Sequence, residues 1–415
     1  MKHPFRSGKP LRLIATCPEE TKDVLAQELT NLGATEVALG YRAVMATVTA
    51  ESFYRCHLWL RTASSLALEL ETFQFRGFDD LKNRSSRLPW HRLFQPEHTY
   101  LIDGIAGDRG QGTLSSNDIS KAVRLGLEIA FQRRVKQTPK VDLKEPKVKI
   151  VAFVRKSRVH VSVNTTGKVL HKRGYKEDHH PAPLKETLAA ACLRLAGYDG
   201  TTTFLDPMCG SGTLAIEAAY LALNKAPMIH RKKGQFGFEW LLNFDRNLWR
   251  KIQDDARSHR LGEPHQAIIA SDLEPHFVKA ARANALRARV EKHLTFSVTN
   301  FLDIDTAAMS PGILVTNLPY GDRLSTKEEL EIFYRKIGDT LKSRFQGWQV
   351  YLLTAFDAPH KAIGLRPSAK IPIKNGAIDC RLLKYEIFSG KMDDYKLKSR
   401  NQKVSSPVAG QPRKG

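Results

Sequence analysis

The chain has 415 residues, 42% of them hydrophobic and 26% charged, which predicts a globular protein of two or three domains and excludes a disordered chain. Lysine and arginine exceed aspartate and glutamate by 22 charges, and this excess favours nucleic acid as partner over an acidic protein or a mere solubility surface. No apolar run approaches the roughly 18 residues of a membrane helix, and the amino terminus lacks the apolar segment of a secretory signal. The five cysteines include no C-x-x-C pair, so we expect a cytoplasmic protein with no membrane association, no disulfides and no metal.

Two small α+β units are predicted in the first 167 residues. In residues 1–60, a helix that ends at Gly33 lies between two short apolar strands. In residues 61–167, a helix capped by Ser116–Asp118 separates one strand from a pair of alternating strands. Basic side chains on this second unit indicate either a solvated surface or one that contacts phosphates. The predicted strands are 11–16, 43–48, 100–104, 148–154 and 158–163.

A polar linker and a leading helix are predicted over residues 168–200, and the pattern of predicted elements changes after them. From 201 to 390, apolar strands alternate with helices, which favours an α/β fold with a parallel, doubly wound sheet. The predicted strands are 203–205, 267–270, 294–298, 312–316 and 349–353. Residues 391–415 are rich in Lys, Ser and Gly, and we expect a disordered basic tail.

A glycine-containing loop follows the first strand of this alternating region. The residues Asp206-Pro207-Met208-Cys209-Gly210-Ser211-Gly212-Thr213 lead from the strand into a helix. Glycines allow a ligand to approach the backbone, and the helix N-terminus offers free N–H groups. The loop matches neither the dinucleotide fingerprint nor a phosphate loop, and in isolation it could be a simple turn.

An acidic residue, Asp272, ends the second strand, where a carboxylate commonly accepts hydrogen bonds from ribose hydroxyls. Its distance from the loop requires an insertion, which we assign to 224–262. Basic and aromatic residues alternate there, including Arg231, Phe238 and Trp249. This pattern fits nucleic-acid contact and fits a small aromatic core of the insertion equally well.

The segment Asn317-Leu318-Pro319-Tyr320-Gly321-Asp322-Arg323 follows another apolar strand. The side-chain carbonyl of Asn317 and the next backbone carbonyl can each accept one N–H of an amine attached to a base. Such an amine is a poor nucleophile because its lone pair is delocalised into the ring. Two acceptors would localise the lone pair and direct it at a methyl donor, while Tyr320 offers a stacking face.

Taken in this order, the three motifs resemble those of class I S-adenosylmethionine-dependent amino-methyltransferases. With residues 171–175 and 182–186, the chain resembles the THUMP-domain RNA guanine-N2 methyltransferases over about residues 5–390. Its layout is most similar to the bacterial L-type enzymes that act on 23S ribosomal RNA. The resemblance implies a Rossmann-like methyltransferase domain, preceded by a ferredoxin-like part and a THUMP RNA-binding domain.

The resemblance also implies roles for individual residues. S-adenosylmethionine would bind at Asp206, Pro207, Met208, Cys209, Gly210, Ser211, Gly212, Thr213, Asp272 and Asn300. The target base would be held and methylated at Asn317, Leu318, Pro319 and Tyr320, with Arg323 on the substrate. Asn300 stands where the family usually has an aspartate that binds the adenine amine, and Asp303 is the alternative. Leu318 replaces a proline, but its expected role uses only its backbone carbonyl.

The expected activity is methylation of guanine N2 in structured RNA, with 23S ribosomal RNA as the favoured substrate. A tRNA substrate is an alternative, because the N-L-P-Y form also occurs in THUMP-domain tRNA methyltransferases. Adenine-N6 methylation of DNA and a non-catalytic RNA-binding assembly factor are further alternatives. The chain ends near residue 415, so we expect that it lacks the second methyltransferase domain that is fused in some relatives.

Overall fold

The structure is a computed structural model that describes residues 10–107, 114–176, 184–319 and 326–388. The predicted basic tail and two predicted site residues, Tyr320 and Arg323, lie outside these ranges. None of the helices in the described ranges is long and apolar enough to cross a membrane.

The first half of the chain forms one seven-stranded sheet. Its strands are β1 (Leu11–Thr16), β2 (Thr35–Leu39), β3 (Ala43–Val48), β4 (Ser65–Gln74), β5 (Tyr100–Ala106), β6 (Val148–Arg155) and β7 (Arg158–Asn164). Their order is β2-β3-β1-β4-β7-β6-β5. Strand β4 pairs with both β1 and β7, so the sheet continues across residue 60. Buried residues alternate with more exposed ones along β1 and β6 because one face of the sheet packs on helices.

Four helices accompany this sheet: α1 (Lys22–Asn31), α2 (Ala50–Trp59), α3 (Gly77–Ser85) and α4 (Ser116–Val135). The prediction of Ser116–Asp118 as the cap of α4 was wrong by one residue. Ser115 is the cap, because its hydroxyl accepts a hydrogen bond from the Asp118 N–H at 3.1 Å and Asp118 in turn accepts one from the Ser115 N–H. Strands β2 and β4 were not predicted. Strand β2 has no clean alternation of apolar and polar residues, whereas the alternating leucines of β4 are interspersed with Ala and Glu, residues that also favour helix.

The second half forms another seven-stranded sheet. Its strands are β8 (Phe204–Asp206), β9 (Ile268–Asp272), β10 (Thr295–Val298), β11 (Ile313–Asn317), β12 (Gln349–Ala355), β13 (Ala369–Asn375) and β14 (Ile378–Glu386). The order is β10-β9-β8-β11-β12-β14-β13. The first five strands of this order are parallel, as the sequence predicted. The antiparallel hairpin β13–β14, which pairs with β12, was not predicted, since charged residues and Pro372 interrupt its apolar pattern.

Helices cover both faces of this second sheet. They are α5 (Glu186–Leu195), α6 (Thr213–Ala222), α8 (Pro275–Arg287) and α9 (Lys327–Arg344). Between α6 and α8 the chain forms α7 (Arg246–Ser258), whose buried residues lie in the core of the first half instead. Successive residues of β8 enter different cores: Phe204 packs with α5, α6 and α8, whereas Leu205 packs with α9. All ten residues of α6 are buried, as expected of a helix that is apolar on every side.

The insertion 224–262 packs against the first half of the molecule. Phe236, Phe238 and Trp249 are buried in the same core as Phe53 and Tyr54 of α2, with the Phe238 ring 5.2 Å from the Tyr54 ring. Nucleic-acid contact by the insertion stays a prediction, whereas the expectation of a separate aromatic core was wrong, because these residues share their core with the first half. They join the two halves of the chain.

Candidate active site

Three candidate residues end neighbouring strands at the same edge of the second sheet. Asp206 is the last residue of β8, Asp272 of β9 and Asn317 of β11, and β8 lies between the other two strands. From β8 the chain first adds β9 and β10 on one side and later β11 and β12 on the other. This reversal is a topological switch point, where open α/β sheets bind their ligands.

Asp206 is a buried carboxylic acid at the centre of this edge. It is 1% exposed, and one oxygen accepts a hydrogen bond from the Thr316 hydroxyl at 2.8 Å. Burial raises the pKa of Asp206 to about 7; the nearby charge of Asp272 raises it further, and the Thr316 hydrogen bond opposes the rise. The group therefore changes charge near neutral pH and is sensitive to a ligand cation.

The loop after Asp206 is held against β9 by backbone hydrogen bonds. The Cys209 N–H donates to the Ser271 carbonyl at 2.9 Å, and the Gly210 N–H donates to Asp272 Oδ2 at 2.9 Å. Pro207, Cys209 and Thr213 are buried, while Met208, Gly210 and Ser211 are partly exposed. The partly exposed positions leave backbone and side chain of the loop accessible to a ligand.

Gly212 permits a close packing of two helices at this loop. Its φ is +79°, and a Cβ built at this position would lie 2.8 Å from the Cβ of Ala281 on α8. Another residue would therefore be strained twice, by its backbone conformation and by contact with α8. The contact fixes the start of α6 beside the loop, so the N-terminal N–H groups of α6 face the same edge.

Asp272 retains acceptor capacity after its internal hydrogen bonds are made. Oδ2 accepts from the Gly210 N–H, and Oδ1 accepts from the Glu274 N–H at 3.1 Å. Each carboxylate oxygen has two lone-pair sites, so one site on each oxygen is left for a ligand. Two hydroxyls on adjacent carbons fit such a pair of acceptors.

Asn300 follows β10, the strand next to β9. Its Oδ1 accepts a hydrogen bond from the Leu302 N–H at 3.0 Å and caps a short 3-10 helix, Phe301–Asp303. Asn300 is partly exposed and Asp303 is exposed. The Asn300 carbonyl thus has one acceptor site in use and a second available.

Asn317 carries the most informative polar atom of the site. Its Oδ1 is buried and has no hydrogen-bond partner among the described residues. A buried carbonyl without a donor costs stability and is a reason to expect a ligand. The Leu318 side chain is fully buried, its N–H donates to the Leu353 carbonyl at 2.9 Å, and Pro319 is partly exposed.

Three supporting residues were not singled out from the sequence. Thr316 binds Asp206; the Asn284 amide donates to the Ser211 carbonyl at 2.9 Å; and the Ser271 hydroxyl is buried without a partner among the described residues. Thr316 precedes Asn317 on a strand next to β8, and a polar residue inside that apolar strand was a usable signal. Asn284 is a buried amide on α8 whose role depends on a tertiary contact.

The sequence predicts that the protein holds no metal ion, and this stays a prediction. Within residues 10–107, 114–176, 184–319 and 326–388, the structure contains no group of three or more His, Cys, Asp or Glu side chains arranged to hold a metal ion.

Fold and site together define a class I methyltransferase, and comparison with known proteins agrees. Residues 173–384 match the family described as RMKL-like, methyltransferase domain. Residues 12–65 match the RlmL ferredoxin-like domain and residues 75–164 match the THUMP domain. The chain belongs to the RMKL-like methyltransferase family, and the expected order of ferredoxin-like, THUMP and methyltransferase parts is confirmed.

The chain is similar to proteins of about its own length and to proteins that are considerably longer. A Synechocystis protein, slr0064, whose name describes a candidate RNA methyltransferase, is 33% identical over 376 residues, which are 90% of this chain and 96% of that protein. Ribosomal RNA large subunit methyltransferase K/L of Vibrio campbellii is 32% identical over 405 residues. Those residues are 97% of this chain and 57% of the Vibrio protein, so the chain spans little more than half of that relative.

Solved structures share the fold over nearly the whole chain. The structure of SMU.472, described as a methyltransferase candidate in complex with SAH, has a TM-score of 0.82 and 26% identity, covering 92% of this chain and 100% of that one. A possible methylase from Clostridium difficile 630 has a TM-score of 0.82 and 27% identity, with the same coverage.

Proposed function

We propose that this RNA methyltransferase transfers a methyl group from S-adenosylmethionine to the exocyclic N2 amine of a guanosine in structured RNA, with 23S ribosomal RNA as the favoured substrate. The observation that carries the proposal is the buried Oδ1 of Asn317 at the switch point of the sheet, which has no hydrogen-bond partner within the part of the chain that the structure describes. This carbonyl can accept a hydrogen bond, and the amine of a target base would donate one.

The cofactor is S-adenosylmethionine, which supplies a methyl group activated by its sulfonium. The residues of the chain fit it: Asp206 and the loop 207–213 would hold the methionine portion, with the carboxylate of Asp206 facing a cationic group. The two free acceptor sites of Asp272 would take the ribose hydroxyls, and the free acceptor site of Asn300 would take the adenine amine.

Asn317 and Leu318 would activate the target amine by hydrogen bonding alone. Each of the two N–H groups would donate to one carbonyl, the side chain of Asn317 and the backbone of Leu318. This holds the amine out of conjugation with its ring and orients its lone pair. An amide oxygen accepts a hydrogen bond but takes up no proton at neutral pH, so the proton released after transfer passes to solvent.

RNA as the substrate is supported by two features of the chain. The THUMP match covers residues 75–164, and the excess of 22 positive charges favours polyanions. A target base within a duplex would have to be flipped out of its stack to reach the site. The K/L relatives are named for large-subunit ribosomal RNA, which favours 23S ribosomal RNA over tRNA.

The test uses the full chain with labelled S-adenosylmethionine and three nucleic acids: unmodified 23S ribosomal RNA, unmodified tRNA, and unmethylated DNA. Nucleosides from each reaction are separated and identified by mass spectrometry. We expect N2-methylguanosine from the ribosomal RNA. N6-methyladenine in DNA would show that the same carbonyl pair serves another planar amine, and transfer to none of the three would contradict the proposal.

A further inference from the structure

A large basic cavity lies where the two halves of the chain meet. Its volume is about 890 Å³. The walls come from the segment after β7, the start of α5, the insertion, the end of α8 and the turn of the β13–β14 hairpin. No site residue considered so far lines this cavity, which is called the joint cavity below.

Positive charge dominates the walls of the joint cavity. Among the described residues that line it, Glu186 is the one carboxylate, and it is buried and within 3.8 Å of the Lys176 ammonium. The three arginines among the described lining residues all make contacts within the protein. Arg173 contacts Glu217, and Arg231 donates to the backbone carbonyls of Thr166, Lys168 and Val169. Arg287 donates to the Tyr175 carbonyl and to Asn284. Lys168, Lys172, Lys185, Lys232 and Arg287 are exposed around the opening.

Two histidines in the walls confirm the sign of the local field. Burial lowers the pKa of His171 to about 4, and each charge that contributes is a cation, Lys185 foremost. Burial likewise lowers the pKa of His230 to about 4, again with only cations contributing. Both imidazoles are therefore neutral at pH 7 and can donate hydrogen bonds without adding charge.

The walls offer charge but no stacking surface. The aromatic side chains among the described lining residues, Tyr175 and Tyr220, are 1% and 2% exposed. Recognition of single-stranded bases uses exposed rings, whereas phosphates need cations and N–H donors. A smaller basic cavity of about 250 Å³ continues along the insertion and shares Arg231 and Lys232 with the first. The two cavities together form an extended basic surface, longer than a site for a single ion.

The joint cavity is connected to the cofactor loop by two hydrogen bonds. Arg287 in its wall donates to Asn284 Oδ1 at 2.7 Å, and Asn284 donates to the Ser211 carbonyl at 2.9 Å. The turn between β13 and β14 lines the cavity. It lies close to Cys380 of β14, which pairs with Ala355 at the carboxyl end of β12. The hairpin turn in the cavity wall therefore lies at the edge of the sheet that carries Asp206 and Asn317.

We propose that the joint cavity binds the phosphodiester backbone of the RNA strand that flanks the target nucleotide, without reading its sequence. The inference rests on the proposed function, because it places the RNA substrate between the first half of the chain and the active-site edge. It assigns part of RNA binding to the junction of the two halves, separate from the THUMP region.

The test compares two triple substitutions that remove the same charge. The first changes Lys168, Lys185 and Lys232 of the joint cavity to Gln. The control changes Arg335, Lys336 and Lys361 to Gln; these residues are exposed and lie on α9 and the following 3-10 helix, at the opposite face of the second sheet. Binding of a mixed-sequence RNA hairpin is measured from low to moderate salt, with adenosylhomocysteine affinity as the check of folding.

We expect the joint-cavity variant to bind RNA about tenfold more weakly and to reduce the slope of log affinity against log salt by about 2, since each phosphate contact contributes roughly 0.7 to 0.9. The control should lose much less, and both should keep wild-type cofactor affinity. Equal RNA binding by the two variants, while the wild type methylates ribosomal RNA, would overturn the cavity assignment alone. Absence of RNA binding by the wild-type chain would overturn the proposed function as well.

Discussion

At the scale of single residues, the site combines groups that are each unfavourable in the protein without a ligand. Asp206 is a carboxyl group buried beside a second carboxylate, and the buried side-chain carbonyl of Asn317 has no donor in the described ranges of the chain. A protein keeps such groups at the cost of stability where function requires them. Both become favourable when a ligand presents a cation to the first and an amine to the second.

The pKa of Asp206 leads to a prediction about proton release. At pH 6 the free protein holds the Asp206 proton, because its pKa is about 7. The α-ammonium group of adenosylhomocysteine would favour the ionised form of Asp206. Binding should therefore release close to one proton per molecule at pH 6 and almost none above pH 8. Calorimetry in two buffers of different ionisation enthalpy measures this number.

The control for this experiment is Asp206→Asn, which keeps the size of the side chain and cannot titrate. It should bind more weakly and release no proton. Because the pKa of Asp206 is raised in the folded state, the free energy of unfolding of the wild type should decrease as pH rises from about 4 to about 7. The Asp206→Asn variant should not show this decrease. Wild-type binding without proton release at pH 6 would contradict the placement of a cation beside Asp206.

At the scale of elements, the close contact of Gly212 with α8 determines where the loop 207–213 lies. Gly212→Ala should destabilise the protein by about 2 to 4 kcal/mol, since a left-handed backbone and a clash with Ala281 act together. Gly197→Ala is the matched control, because its φ is +73° and no atom lies within 4 Å of the added Cβ. It should cost only about 1 kcal/mol. Denaturant unfolding compares the two, and equal losses would show that the contact with α8 is unimportant.

The sequence predicted this edge of the sheet well and its surroundings less well. Asp206, Asp272 and Asn317 each follow an apolar run, so their meeting at one edge could be inferred from the rule for parallel strands. The capping of a 3-10 helix by Asn300 and the contact of Asn284 with Ser211 depend on which loops meet. No local pattern encodes such a meeting.

At the scale of the whole molecule, a buried charged cluster joins the two halves. Arg173 and Glu217 both have fully buried side chains; Arg173 also donates to the carbonyls of Leu170 and Arg61, and Glu217 accepts from the Tyr175 hydroxyl. Arg61 belongs to the first half and Glu217 to α6 of the methyltransferase half. The cluster therefore links the first half of the chain to α6, the helix that follows the loop 207–213.

Removing one member of this cluster should be costly. Arg173→Met should destabilise the protein by about 3 to 5 kcal/mol, because the buried Glu217 would lose its direct ion-pair partner. The double variant Arg173→Met with Glu217→Gln should recover much of the loss. Thermal unfolding measures both, and a single variant as stable as the wild type would show that the pair is not a structural link.

The aromatic residues of the insertion show why the packing between the two halves of the chain could not be predicted from the sequence. A run of basic and aromatic residues looks the same whether it contacts RNA or packs on a neighbouring unit. Because Phe236, Phe238 and Trp249 share a core with α2, deleting the first half of the chain would expose them. Substitutions in the intact chain are therefore the proper test of RNA binding.

The central claim is that the Asn317 carbonyl holds the reacting amine. The most direct measurement is the single-turnover rate of methyl transfer to unmodified 23S ribosomal RNA for the wild type, Asn317→Ala and Asn317→Asp, with adenosylhomocysteine affinity measured for each. We predict that Asn317→Ala binds the cofactor product normally and loses at least about 10²-fold in rate, with Asn317→Asp retaining more because it keeps an acceptor oxygen. An Asn317→Ala protein that transfers the methyl group at the wild-type rate would contradict the account.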